Sequence, residues 1–359
     1  MSSGRGLQAV RDALCLAYDQ NWIDEFEFAL LYDENSSREI FPYWKYQRFD
    51  LDLWDDTECK TELRFSKNDL PDLLDVLDIP EKIICSQGTT CSGMEGLCIL
   101  LKRLAYPCRY TDIVPRFGRN PTTLCLIFNE VLDIVYDNHH HQLDEWNRAL
   151  LQPQQLLEYA GAIHARGAPL TSCFGFIDGT LRPISRPKVN QRIVYNGHKR
   201  LHGLKFQSVV TPNGMIASLH GPYEGQKHDS SMLNETNLLQ TLRRNALVNG
   251  EPLCLYGDPA YPLGPHLQMP FRGAQITADM RAYNKAMSQV RVTVEWLFGN
   301  ITNFFKFIDF KKQMKIGLSA VGKLYVVSAL LENARTCLYG NIVSDFFHVE
   351  PPRLHQYFQ

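Results

Sequence analysis

Residues 173–180 read Cys-Phe-Gly-Phe-Ile-Asp-Gly-Thr, an apolar run that ends at Asp178. A second run of the same kind, residues 253–261, reads Leu-Cys-Leu-Tyr-Gly-Asp-Pro-Ala-Tyr and ends at Asp258. A short apolar run bounded by turn residues is typical of a buried β-strand. Both segments therefore predict strands with an aspartate at their ends, although each aspartate, taken singly, is also consistent with an ordinary turn residue.

A third acid, Glu295, lies in a stretch with a helical pattern, residues 290–299, Val-Arg-Val-Thr-Val-Glu-Trp-Leu-Phe-Gly. By itself it is consistent with a charge on a helix surface. Two carboxylates at strand ends and one on a helix can converge, and converging carboxylates repel one another unless cations hold them together. Ligand sets made only of oxygen suit Mg²⁺ or Mn²⁺. We therefore expect Asp178, Asp258 and Glu295 to be the metal ligands and catalytic residues.

Six motifs around these acids occur in a fixed order and carry a family resemblance. They are Ile-Asp-Gly-Thr at 177–180, Tyr-Asn-Gly-His-Lys at 195–199, Leu-Lys-Phe-Gln at 204–207, Gly-Gln-Lys-His-Asp-Ser at 225–230, Tyr-Gly-Asp-Pro-Ala-Tyr-Pro-Leu at 256–263 and Arg-Val-Thr-Val-Glu-Trp-Leu-Phe-Gly at 291–299. Together they resemble the DDE nuclease domain of PIF/Harbinger-type transposases and their domesticated relatives. The resemblance covers about residues 174–310 and includes all three acids.

The resemblance implies an RNase H-like α/β fold, a mixed sheet flanked by helices, over residues 170–345. It also implies metal-dependent cleavage of double-stranded DNA by Asp178, Asp258 and Glu295, which would hold two Mg²⁺ or Mn²⁺ ions. Such a pair of ions assists both the attacking and the leaving oxygen of a phosphoryl displacement. The motifs do not separate hydrolysis alone from hydrolysis followed by strand transfer.

Further expectations about partners and alternatives come with the resemblance. It implies a nuclear protein that works with a separate Myb-like DNA-binding partner, and a homo-oligomer is a further option. The main alternative is a domesticated protein that keeps the fold, no longer cleaves DNA, and binds DNA or another protein in the nucleus. A third alternative is a hydrolase of small phosphate esters.

The distribution of charge favours a large polyanion over a small ester. Residues 1–174 hold 16 Lys and Arg against 27 Asp and Glu, a net charge of −11, whereas residues 175–315 hold 18 against 9, a net charge of +9. An acidic centre within a basic surround suits nucleic acid held over metal ions. The acidic N-terminal half is a poor candidate for the main DNA contact.

Several basic residues of the second half are candidates for contacts with DNA phosphates. Arg291 lies four residues before Glu295, on the same face of a continuous helix, so it could instead orient the Glu295 carboxylate. For each of the others the alternative is a solvated surface charge. The candidates are Lys199, Arg200, Lys205 and Arg291, together with Arg182, Arg186 and Lys188.

The N-terminal region, residues 1–150, is predicted to be mostly helical. Helical patterns at 94–105, 110–117 and 122–136, with Gly118 and Pro121 between the last two, predict a helix-turn-helix motif at about 99–136. The segment 122–127 contains no Lys or Arg, however, so packing or partner binding is the alternative to reading DNA. A domain boundary is expected between residues 142 and 170.

The remaining features bound the protein class. No apolar run reaches the ~20 residues of a membrane span, so no membrane association is expected. The ten cysteines form no Cys-x-x-Cys pair and several lie in apolar runs, which favours reduced thiols and a nuclear or cytoplasmic location.

Three local expectations can be compared directly with a structure. Asp229 is a fourth acid, for which capping the helix that follows it is favoured over a metal role, and Thr277 is predicted to cap one long helix that runs to about residue 297. Tyr195 and Trp296 could stack on unpaired bases, but packing in the core is the commoner role of such residues.

Overall fold

The computed structural model describes residues 4–34 and 42–359. The helices in these residues are α1 Gly4–Asp19, α2 Glu25–Glu34, α3 Asp56–Leu63, α4 Leu70–Val76, α5 Gly93–Ala105, α6 Tyr110–Phe117, α7 Pro121–His139, α8 His141–Asp144, α9 Pro153–Ala165, α10 Gln191–Val194, α11 Asp229–Glu235, α12 Leu238–Asn245, α13 Ala278–Arg291, α14 Thr293–Phe304, α15 Val321–Tyr339, α16 Ile342–Phe347 and α17 Leu354–Tyr357. The strands are β1 Lys82–Ile84, β2 Thr90–Ser92, β3 Cys173–Pro183, β4 Tyr195–Asn196, β5 Leu201–Val210, β6 Ile216–Glu224, β7 Leu247–Val248, β8 Glu251–Pro252, β9 Cys254–Tyr256 and β10 Leu267–Gln268.

A mixed sheet with the strand order β10-β9-β3-β5-β6 forms the centre of the molecule, and β4 pairs with the start of β5. Strands β3, β9 and β10 run parallel, whereas β5 is antiparallel to both β3 and β6. Helices pack against this sheet, among them α9, α14 and α15. The predicted α/β architecture of a mixed sheet flanked by helices is therefore confirmed.

The turn residues at 211–214 predict a hairpin between the flanking apolar segments, and β5 and β6 form it. The connecting residues 211–214 read Thr-Pro-Asn-Gly, and Gly214 has a φ of 77°, which glycine adopts without steric cost. The Asn213 carboxamide is buried and donates a hydrogen bond to the hydroxyl of Tyr159 on α9 (2.8 Å). The hairpin is thereby tied to a helix that precedes the sheet in the chain.

Two helices near the C-terminus differ from the sequence expectation. The pattern at 314–338 predicts one helix, but α15 begins at Val321. Gly317 has a φ of 84°, which a helix does not allow, and the Met314 carbonyl accepts a hydrogen bond from the backbone N–H of Ser185 (2.9 Å) instead of one within a helix. The single helix expected from Thr277 to about residue 297 is interrupted at Val292. Thr277 does cap α13, since its hydroxyl accepts a hydrogen bond from the N–H of Met280 (3.2 Å).

The N-terminal helices continue the hydrophobic core of the sheet region. Helices α5, α6 and α7 occupy the three predicted segments, and Asn120 caps α7 by accepting a hydrogen bond from the N–H of Thr123 (2.7 Å). Helix α7 packs against α15, and Lys323 of α15 pairs with Asp133 of α7 (2.6 Å). The helices are present, but their use as a DNA-reading helix-turn-helix stays a prediction.

Two further findings concern the described residues. None of their helices combines the length and the apolar character that crossing a bilayer requires. All ten cysteines are free thiols, and six of them are buried in the core: Cys59, Cys85, Cys91, Cys98, Cys173 and Cys254.

Candidate active site

Asp178, within β3, and Asp258, just after β9, lie at equivalent distances from a residue pair that joins these two parallel strands. Phe176 of β3 pairs with Tyr256 of β9, and each aspartate lies two residues beyond this pair. Neighbouring strands lie only about 4.8 Å apart, so the two carboxylates are brought close to each other. Strand β3 continues past Asp178 to Pro183, so Asp178 lies within a strand and not at its end, which corrects the sequence expectation.

Asp258 is fixed by a tight turn after β9. Its Oδ1 accepts a hydrogen bond from the N–H of Ala260 (2.9 Å), and its carbonyl accepts one from the N–H of Tyr261 (3.2 Å). The residue before it, Gly257, has no space for a side chain, because an added Cβ would lie 2.6 Å from the ring of Tyr261. The Gly-Asp-Pro-Ala-Tyr sequence thus holds the carboxylate in place through its own backbone.

A third carboxylate, that of Asp229, joins this pair. A Cβ added to Gly179, the residue after Asp178, would lie 2.6 Å from Asp229 Oδ1. His228 is the residue that precedes α11 at the cap position, and no side-chain hydrogen bond caps the helix, so the expectation that Asp229 is a helix cap is wrong. We refer to Asp178, Asp229 and Asp258 as the acidic cluster.

Two cations compensate the acidic cluster. Arg291, at the end of α13, donates from Nη1 to Asp178 Oδ2 (2.9 Å). Lys205, on β5, donates from Nζ to Asp229 Oδ1 (2.6 Å) and to the carbonyl of Lys227 (2.8 Å). These four side chains are each at least three-quarters buried, which makes both ion pairs stronger than surface pairs.

Burial raises the pKa of both strand aspartates. The pKa of Asp178 rises to about 6, mainly because the group is buried, and Asp258 and Asp229 add to the rise, while Arg291 and the N–H of Gly179 oppose it. The pKa of Asp258 is also raised, again chiefly by burial and further by Asp229. Asp229 thus acts on both strand aspartates and Asp258 acts on Asp178, as expected for carboxylates that share one site.

Glu295 is placed differently from the other predicted ligands. It lies in the first turn of α14 with an exposed side chain, and its N–H donates to the carbonyl of Val292 (3.0 Å). Because the helix is interrupted at Val292, Arg291 and Glu295 do not share one continuous helical face. Arg291 pairs with Asp178, so the alternative in which it orients Glu295 is not what the structure has.

The donors around the acidic cluster suit a hard divalent cation by their chemistry. In residues 4–34 and 42–359, no group of three or more His, Cys, Asp or Glu side chains is arranged to hold a metal ion as it stands. Beside the cluster, however, the buried carboxamide of Gln207 donates to the carbonyl of Asp229 and to the hydroxyl of Tyr261 (both 3.3 Å), while its Oε1 has no hydrogen-bond partner in the part of the chain that the structure describes. Carboxylate and amide oxygens of this kind are ligands that Mg²⁺ and Mn²⁺ accept.

The predicted phosphate contacts fall into two groups. Lys199 and Arg200 are exposed on the turn between β4 and β5, and Arg186 and Lys188 are exposed after β3. The remaining three lie inside the protein. They are Lys205 and Arg291, which hold the acidic cluster, and Arg182, which is 9% exposed and stacks over Tyr325.

The two aromatic residues considered for stacking on bases, Tyr195 and Trp296, differ in their exposure. Trp296 packs edge-on against Phe346 (5.4 Å between ring centroids), as expected for a core aromatic. Tyr195 is 41% exposed and lies beside His202. Sequence reasoning missed the roles of Lys205, Gln207 and Tyr261 in the site; the motif at 204–207 contains the first two, and the motif at 256–263 contains the third.

One comparison with known proteins identifies the segment that carries this site. Residues 177–333 match the family model described as DDE superfamily endonuclease. The match begins one residue before Asp178, contains Asp229, Asp258 and Glu295, and ends within α15. The resemblance inferred from the motifs is thus confirmed at the level of this family, without its Harbinger subtype. Searches of curated proteins and of solved structures found no match.

Proposed function

Because residues 177–333 match the DDE superfamily endonucleases, we propose that this protein is a metal-dependent DNA endonuclease of the transposase type. The observation that carries the proposal is that Asp178 of β3 and Asp258, just after β9, each lie two residues beyond the pair that joins these parallel strands. The strand order β10-β9-β3-β5-β6, with three parallel strands and an antiparallel hairpin, also supports the RNase H-like fold that the motifs imply.

Asp178 and Asp258 would hold one or two Mg²⁺ or Mn²⁺ ions. When bound, such ions activate a water nucleophile and stabilise the oxygen that leaves the phosphate. The protein residues prepare this chemistry in advance. The turn at Asp258 fixes one carboxylate, Arg291 keeps Asp178 ionised near neutral pH, and the buried neighbours restrict water around both groups.

Two acids compete for the third ligand position. Glu295 is the acid that the family motif supplies, and its exposed side chain, in the first turn of a helix that packs against β3, leaves it free to turn toward a metal ion. Asp229 already lies beside Gly179. We propose Glu295 as the third ligand and Asp229, held by Lys205, as the residue that sets the charge of the site.

Cleavage of a supercoiled plasmid and of an end-labelled duplex by the purified full chain, with Mn²⁺ or Mg²⁺, tests the proposal. Asp178→Asn and Asp258→Asn should each lower the rate by at least ~10³-fold. Asp279→Asn is the matched control, because Asp279 is an exposed acid in the first turn of α13, outside the acidic cluster, and this variant should cleave at the wild-type rate. Equal activity of the wild type and both cluster variants would sink the proposal.

The substrate is proposed to be double-stranded DNA in the nucleus. The net charge of +9 in residues 175–315 supports a polyanion, and the exposed Arg186, Lys188, Lys199 and Arg200 are the side chains best placed to contact its phosphates. A separate Myb-like partner that recognises the DNA sequence is consistent with the absence of Lys and Arg in residues 122–127, at the start of α7. A homo-oligomer and strand transfer after cleavage stay predictions.

One observation favours a second function, that of a non-catalytic nuclear protein that binds DNA or another protein. Arg291 and Lys205 neutralise most of the acidic cluster without any metal ion, so the carboxylates could serve the fold alone. Calorimetric titration with Mn²⁺ separates the two. A saturable heat that Asp178→Asn abolishes supports the endonuclease, whereas no binding by a folded wild-type protein supports the second function.

A further inference from the structure

A cavity that none of the residues of the acidic cluster lines contains a buried cation. It has a volume of about 280 Å³ and lies between the N-terminal helices and the segment that follows α14. Its lining combines Arg103 and Tyr110 with Phe307, and Lys312 and Lys315 also line it. This volume is roughly nine times the ~30 Å³ that one water molecule takes up in the liquid, so a small polyatomic ion fits. We refer to it as the Arg103 cavity.

Arg103 is almost completely buried, with 6% of its surface exposed. Its guanidinium lies 4.4 Å from the ring centroid of Tyr110 and 4.3 Å from that of Phe307, so the two rings hold it between them. Its Nη2 donates to Gln313 Oε1 (3.0 Å) and its Nη1 to Cys108 Sγ (3.7 Å), while Nε is buried without a partner. Nε is therefore the guanidinium nitrogen that lacks a hydrogen-bond partner among the described residues.

The partners of Arg103 are all neutral. Gln313 is an amide, and burial raises the pKa of the Cys108 thiol and of the Tyr110 hydroxyl, so neither carries a negative charge near neutral pH. No Asp or Glu in the described residues forms an ion pair with Arg103, whereas the partly buried Arg119 pairs with Glu95 (2.5 Å). A buried charge without a counter-charge is costly.

Two lysines extend the positive charge of this cavity to the surface. Lys312 and Lys315 line it and are exposed, and they belong to a basic segment, residues 306–315, which holds four lysines and one aspartate. Three cations around one small cavity favour a ligand with oxygen atoms that can meet the planar donor fork of an arginine, as a phosphate group does.

We propose that the Arg103 cavity binds a phosphate group, which Arg103 contacts through its guanidinium and which Lys312 and Lys315 attract. The site does not depend on the proposed nuclease activity. The same chemistry can come from free phosphate or a phosphate monoester, or from the backbone of a nucleic acid that follows the basic surface of residues 175–315.

The test is calorimetric titration of the full chain with inorganic phosphate, at an ionic strength held constant with chloride. The decisive variant is Gln313→Glu, because it places a carboxylate where an amide oxygen already lies 3.0 Å from Arg103 Nη2. It gives Arg103 an internal counter-charge with almost no change in shape. The wild type should bind phosphate saturably, and Gln313→Glu should weaken binding by at least about tenfold.

Three further variants and a thermal measurement sharpen the result. Lys312→Ala and Lys315→Ala should each weaken phosphate binding by several-fold, and Lys311→Ala, an exposed neighbour outside the cavity, should leave it unchanged. Phosphate should raise the melting temperature of the wild type and not that of Gln313→Glu, since a ligand stabilises only the state that binds it. The last comparison needs no assumption about Arg103 variants, whose folding could suffer.

A short DNA duplex added in the presence of a chelator identifies the source of the phosphate. Displacement of bound phosphate by the duplex assigns the cavity to the nucleic-acid backbone, and retention of phosphate assigns it to a free or monoester phosphate; either result supports the site. No saturable binding to the folded wild type, or equal affinity of Gln313→Glu and wild type, overturns the proposal.

Discussion

Buried charge is treated in two different ways in this molecule. In the acidic cluster, three carboxylates face two cations, and each cation forms a direct ion pair, Arg291 with Asp178 and Lys205 with Asp229. In the Arg103 cavity, one guanidinium is buried between aromatic rings with neutral hydrogen-bond partners only.

This difference indicates what each site lacks. The acidic cluster keeps a negative excess, which a divalent cation would satisfy, and the Arg103 cavity keeps a positive excess, which an anion would satisfy. In both places the fold has removed charged groups from water, so the remaining charge is a strong determinant of what can bind.

The largest expected loss of activity from a change beside the acidic cluster is that of Gly179→Ala. The new Cβ would lie 2.6 Å from Asp229 Oδ1, so the carboxylate must move, while the backbone of β3 has no reason to unfold. If the position of Asp229 sets the charge of the site, cleavage should fall by roughly 100-fold, which is what a displacement of about 1 Å can cost. Gly264→Ala, which places its Cβ in open space, is the matched control and should retain activity.

Removal of a cation tests the compensation directly. Lys205→Met leaves Asp229 buried without its partner and should lower the free energy of unfolding by about 2 kcal/mol, less than for a fully buried pair because both side chains keep some exposure. Denaturant titration measures the loss. If Asp229 then joins the metal site, added Mn²⁺ should restore part of the lost stability. If Lys205→Met is as stable as the wild type without Mn²⁺, the role assigned to Lys205 is contradicted.

A buried acid outside both sites provides a pH test. Burial raises the pKa of Glu332 from 4.5 to about 8, and Arg335 only partly opposes this. The folded state thus binds more protons than the unfolded state between these values, so the free energy of unfolding should decrease as pH rises from 4.5 to 8, by up to ~1.4 kcal/mol per pH unit.

Glu332→Gln should remove this dependence. The variant should be more stable than the wild type at pH 8 and above, and the two should converge toward pH 5, where Glu332 is protonated in the fold. Melting temperatures across this pH range provide the measurement. Parallel pH profiles for the two proteins would show that Glu332 is ionised in the folded state.

The smallest expected effect concerns the exposed basic surface. Phosphate contacts release counterions, so DNA affinity should fall steeply as salt rises. Lys199→Ala combined with Arg200→Ala should lower the slope of log affinity against log salt by about one to two units, because each lost contact contributes roughly one.

A deletion provides the complementary measurement. Removal of residues 1–140, which belong to the acidic half, should leave the salt slope largely intact if the truncated protein still folds by circular dichroism. Loss of DNA binding in a folded truncated protein would assign DNA recognition to the helix-turn-helix region.

The sequence predicts the two strand aspartates well because a local pattern is enough. An apolar run followed by Asp-Gly or Gly-Asp-Pro predicts a buried strand, and parallel neighbours then bring the acids together. The predicted end is right for β9 but wrong for β3, which continues past Asp178 to Pro183 because it pairs with β5 there. The hairpin of β5 and β6 is predictable for the same reason, from the residues of its turn.

Other features depend on contacts between residues far apart in the chain. The position of Asp229 in the site depends on its ion pair with Lys205 and on the space that Gly179 leaves for its carboxylate. The helix-cap pattern at 228–230 does not reveal these contacts. The interruption at Val292 has no proline or glycine to signal it. The burial of Arg103 depends on Phe307 and Gln313, which lie more than 200 residues away.

The most direct test of the central claim is the binding of Mn²⁺ to the full chain, followed by calorimetry, in the wild type, Asp178→Asn, Asp258→Asn and the control Asp279→Asn. If Asp178 and Asp258 form one metal site, the wild type and the control should bind Mn²⁺ with the same affinity, and each cluster variant should lose at least about tenfold. Equal Mn²⁺ affinity in all four folded proteins would contradict the account.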